Sequence, residues 1–69
     1  MKLLDVVALT QEEPGKGLRR GQVGTVVERL APGVFEVEFC DLEGQTYASV
    51  ALPEVHLMIL HHQPLSAVA

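Results

Sequence analysis

Three of the chain's five basic residues, Lys16, Arg19 and Arg20, fall close together in a stretch rich in glycine. Guanidinium forks and loop amides suit anions, so this stretch is the candidate contact for a phosphate, a nucleic-acid backbone or an acidic partner. No aromatic side chain lies alongside to stack a base. The plainer role for these charges is a solvated loop, or pairing with Glu12 and Glu13.

An acidic run follows, with Glu28, Glu36, Glu38, Asp41 and Glu43. Glu36 and Glu38 are two apart, so on a strand their carboxylates point to the same face. Together with Asp41 and Leu42 they are the candidate protein interface, because an acidic edge steers a basic partner and speeds encounter. Carboxylates on an exposed strand have no apolar pocket to set one apart as acid and the other as base. A solvated face is therefore the alternative, and an enzyme is not expected.

His56, His61 and His62 raise a metal site. Adjacent residues of an extended strand face opposite ways, so His61 and His62 do not converge on one ion, and no metal or other cofactor is expected. Cys40 follows Phe39 amid carboxylates, without the cationic neighbour or helix N-terminus that activates a thiolate. It reads as a small, half-buried hydrophobe. As the only cysteine it has neither an internal disulfide partner nor a CxxC mate for zinc.

The scaffold for these groups is short: 69 residues, 48% hydrophobic and 20% charged, with a net charge of -4. That is one domain, too apolar for disorder and too small for a deep catalytic cleft. The acidic balance disfavours sequence-independent nucleic-acid binding, which depends on Lys and Arg displacing counterions. No apolar run is long enough to cross a bilayer, and the first residues lack the pattern of a secretory signal. A cytoplasmic location is expected.

Alternating and β-branched stretches predict five strands. The first spans residues 3–10; the second spans 23–30, with a bulge near Gly24 to reconcile its mixed periodicity. Ala31-Pro32-Gly33 reads as a type II turn. In the third strand Phe35, Val37 and Phe39 alternate with Glu36 and Glu38, which puts the aromatics in the core. Asp41 to Gly44 is a tight turn, the fourth strand runs from 45 or 46 to 52, and Pro53 forces a helical turn before a fifth strand at 56–60. Gln11 to Gln22 is too long for a plain hairpin connection and is either a functional loop or a folded-over excursion. These elements predict an all-β fold, a small five-stranded antiparallel SH3-like barrel over residues 1–60, with a fraying tail at 61–69. An OB-like barrel would need a helix where Asp41 to Gly44 leaves no room.

Met1 to Leu9, Gly17-Leu18, Arg20 to Glu28, Val34 to Phe39 and Thr46-Tyr47-Ala48 resemble a family of short bacterial proteins, frequent in cyanobacteria, catalogued as a domain of unknown function. The resemblance covers about residues 1–60 and implies a stand-alone SH3-like protein without an assigned activity. A weaker likeness, Gly21-x-x-Gly24-x-Val26, is to KOW modules and implies RNA contact. Gly21 and Gly24 answer equally to a backbone need at the exit of the long loop.

The familiar ligands of SH3-like folds do not fit. Proline-rich segments and methyl-lysine need several aromatic rings, whereas Trp is absent and Tyr47 is the only Tyr. Val34, Leu42, Leu65, Val68 and part of the fifth strand exceed what a small core is expected to cover, which marks an interface. The expected function is a non-enzymatic protein-binding module, an accessory or antitoxin-like neutralising subunit of a pair, with self-association as a structural protein or KOW-like RNA binding through Lys16, Arg19 and Arg20 as alternatives.

Overall fold

The computed structural model describes residues 1–65, on which Val68 does not lie. Five strands, β1 (Val6–Leu9), β2 (Val23–Ala31), β3 (Val34–Cys40), β4 (Thr46–Pro53) and β5 (Leu57–Ile59), form one antiparallel sheet in the order β4-β3-β2-β1-β5. Single turns of 3-10 helix sit at Pro14–Lys16 and Glu54–His56. The all-β architecture, the long first connection and the helical turn before the last strand are as the residue pattern predicts.

The sheet is not closed into a barrel. β5 pairs with β1 over three positions, Val7 with Ile59, Ala8 with Met58 and Leu9 with Leu57. A strand of three residues has nothing left with which to reach β4. Both β4 and β5 therefore end the sheet as edges, where closure would have removed them.

With no second layer, the sheet must curl over its own inner face to bury a core. That face carries Val7, Leu9, Val26, Phe35, Val37, Phe39, Leu52 and Leu57, joined by Leu18 from the long loop. Phe35, Val37 and Phe39 are all buried, so the register read from the alternation of β3 holds. No polar or charged residue is buried among the described residues.

Three local expectations are corrected. β1 begins at Val6 rather than at residue 3, because the first residues fold into a turn. The backbone N–H of Lys2 donates to the Asp5 carboxylate at 2.9 Å, and Leu4 takes a left-handed φ of 72°. The bulges in β2 lie between Val26 and Glu28 and between Arg29 and Ala31, not at Gly24. Each extra residue shifts the parity, which is why neither alternate set of β2 reads as apolar throughout. Gly24 serves a different need: a Cβ there would stand 2.7 Å from Val37 Cγ1 and 3.0 Å from the Glu38 carbonyl oxygen. Cys40 is exposed rather than half-buried, because it turns to the face opposite Phe39 at the end of β3.

Candidate functional site

The long loop is a folded-over excursion. Its two sides are tied by backbone bonds between Glu13 and Leu18, at 2.9 and 3.1 Å, with Leu18 only 3% exposed as the plug that holds it to the core. The loop returns to the sheet where Gly21 N–H donates to the Leu9 carbonyl at 2.8 Å, with Gly21 at φ 92°. Glu13 Oε1 accepts from His56 Nδ1 at 2.6 Å, which fastens the loop to the helical turn before β5.

Arg19 and Arg20 line an open depression with Thr10, Gln11, Glu12, Gly21 and Gln22, and Lys16 is not part of it. The backbone N–H groups of the two arginines are taken. That of Arg19 donates to the Gln22 side chain and that of Arg20 to the Glu12 carboxylate. A carboxylate thus sits where a phosphate would have to go. The loop brings two of the three expected basic residues together, with the Arg20 backbone N–H held by the Glu12 carboxylate and that of Arg19 by the Gln22 amide oxygen.

The acidic candidates separate into two groups. Asp41 builds its turn, since its Oδ1 accepts from the backbone N–H of Glu43 and of Gln45, each at 2.9 Å. Leu42 stands at the tip of that turn at 106% relative exposure. Glu36 and Glu38 lie half-buried on the outer face of the sheet, beside Ser49 and Ala51 of β4. Ser49 Oγ donates to Glu36 Oε2 at 2.8 Å, so the Glu36 carboxylate leans toward β4. Glu28 pairs directly with Glu36 on the other side. Like charges opposite one another on a sheet repel, so this face gains from an incoming cation.

β4 itself is uncharged along its whole length, Thr46-Tyr47-Ala48-Ser49-Val50-Ala51-Leu52-Pro53, and only β3 pairs with it. Its inner residues Ala48 and Val50 pack against the core while remaining half-exposed. Tyr47 occupies the register shift opposite the end of β3, with its ring 6.3 Å from that of Phe39 and its hydroxyl accepting from Gln22 Nε2 at 3.1 Å. Residue patterning missed the free edge of β4 because it took the sheet to be closed. The absence of any charge between Glu43 and Glu54 was the signal for it.

His61 and His62 line a second open depression with Lys2, Leu4, Asp5 and Val6, and no cluster suited to a metal ion occurs among the described residues. No helix among them is long and apolar enough to cross a membrane.

These features define a small single-sheet β domain with one acidic face and an unprotected edge strand. The chain belongs to the family described as a domain of unknown function (DUF4926), which matches residues 3–59. No curated protein and no solved structure matches it.

Proposed function

We propose that this protein is a cytoplasmic, non-enzymatic protein-binding module, an accessory or neutralising subunit of a two-protein assembly. The observation that carries this reading is the unclosed sheet: β4 ends it with free backbone groups and with Ala48 and Val50 half-covered. Free edges are templates for pairing, and proteins that work alone blunt them with charge, proline or a covering element. Here the single proline, Pro53, stands at the very end of the strand. A domain of this size with a single cysteine, and so no internal disulfide, also gains stability from association.

Purification under mild conditions from the native host, with mass analysis of the eluate and a nucleic-acid stain, tests the reading. A stoichiometric protein partner is the expected result. A protein that stays monomeric at high concentration and recovers no partner overturns it. So does salt-sensitive RNA that is lost with an Arg19→Ala/Arg20→Ala double substitution.

A further inference from the structure

Building on that reading, we propose that the free edge of β4 accepts an extended segment of a partner in which basic and apolar residues alternate, added as a sixth antiparallel strand. Three observations fix this chemistry. The inner positions Ala48 and Val50 are half-exposed continuations of the core row, opposite Phe39 and Val37 of β3. A strand laid beside them places its own inner side chains over that gap, and these must be apolar to complete the core.

The outer positions set the second half of the pattern. Ser49 and Ala51 are small and exposed, and they separate the free edge from Glu38 and Glu36. An added strand would lie about 10 Å from β3, two interstrand spacings. A long Lys or Arg side chain on its outer face passes over Ser49 or Ala51 without obstruction. The Glu36 carboxylate already leans that way through its bond from Ser49. A cation that reaches across β4 is attracted to these carboxylates, and it would also relieve the Glu28 and Glu36 repulsion.

Charge also decides between occupants. A second copy of the chain carries a net charge of -4 and offers the same uncharged strand, so it brings no cation to this face. A basic strand answers both the apolar row and the carboxylates.

The test uses two capped ten-residue peptides, one alternating Lys with Val and one alternating Glu with Val, titrated into the isotopically labelled full chain while backbone amides are followed by NMR. The Lys peptide is expected to shift the amides of Tyr47 to Leu52 and to slow their exchange with solvent, and the Glu peptide to leave them unmoved. Binding should weaken as salt rises, and by about fivefold or more in the E36Q/E38Q double variant. Ser49→Lys with Ala51→Lys, both at exposed positions, should abolish it while the rest of the spectrum stays that of the folded protein.

Equal response to both peptides, or shifts centred on Arg19 to Gln22, overturns the proposal. So do concentration-dependent shifts of β4 without peptide, which assign the edge to a second copy. A host partner still captured by the Ser49→Lys/Ala51→Lys variant overturns this site while leaving the protein-binding function standing. Absence of any partner for the unsubstituted chain removes that function itself.

Discussion

His56 and Glu13, 43 positions apart, meet through Nδ1 and Oε1 at 2.6 Å. Their side chains are 27% and 15% exposed. This is the one side-chain bond that ties the long loop to the turn feeding β5, and it shields both groups from much of the competing water. Glu13→Ala and His56→Ala are each expected to cost about 1 to 2 kcal/mol. The double variant should cost less than the sum, as measured by urea unfolding in a double-mutant cycle. Full additivity would show that the two residues stabilise the fold independently.

Gly24→Ala should destabilise by about 1 to 3 kcal/mol, because its new methyl group would enter a space already held by Val37, the Glu38 backbone and Phe39. Gly15→Ala is the control, since a Cβ there meets nothing within 4 Å and its φ is not in the left-handed range. Thermal unfolding of the pair should separate clearly. A neutral Gly24→Ala would mean that the β2 and β3 backbones part more readily than their packing indicates.

Phe39 is fully buried on the inner face. Phe39→Ala is expected to cost about 3 to 5 kcal/mol, enough to unfold much of a marginal domain at room temperature. Circular dichroism and denaturant titration read this directly, and a folded, little-perturbed variant would invert the register of β3.

Leu18→Ala should release the long loop before it unfolds the sheet. Removing a buried leucine costs about 2 to 5 kcal/mol, and here part of that cost falls on one excursion. Trypsin cleavage after Lys16, Arg19 or Arg20 should therefore accelerate in the variant more than global stability declines. Equal changes in both would make the loop an inseparable part of the core.

The strands were legible where one face is apolar and the other polar. Phe35, Val37 and Phe39 against Glu36 and Glu38 set β3 correctly, and Pro32-Gly33 set the hairpin, with Gly33 at φ 73°. The mixed pattern of β2 signals a parity change without fixing where it falls, and in place of the bulge expected near Gly24 the shifts lie beside Val27 and Leu30. The start of β1 was hidden too, because Leu4 is an apolar residue in a left-handed turn that apolar residues rarely adopt. Closure depends on how far β5 extends, which three apolar residues in a row do not reveal. Among the candidate site residues, the leaning of Glu36 toward Ser49 joins groups far apart in the chain and leaves no local mark, and Glu12, legible as a partner of the basic loop, takes the Arg20 backbone amide.

The pairing of Val7 with Ile59 joins strands from opposite ends of the described chain. The β2, β3 and β4 meander needs only short loops, whereas this ladder must close a loop nearly as long as the domain, so it has the largest entropic barrier to form. Folding should then proceed from the meander outward, with β5 docking last. The reverse step is the easiest opening of the native state: three residues lift from β1, Leu9 and Val7 lose their cover, and the meander survives. Local opening of the sheet is then expected to begin at that short ladder, on the side away from β4.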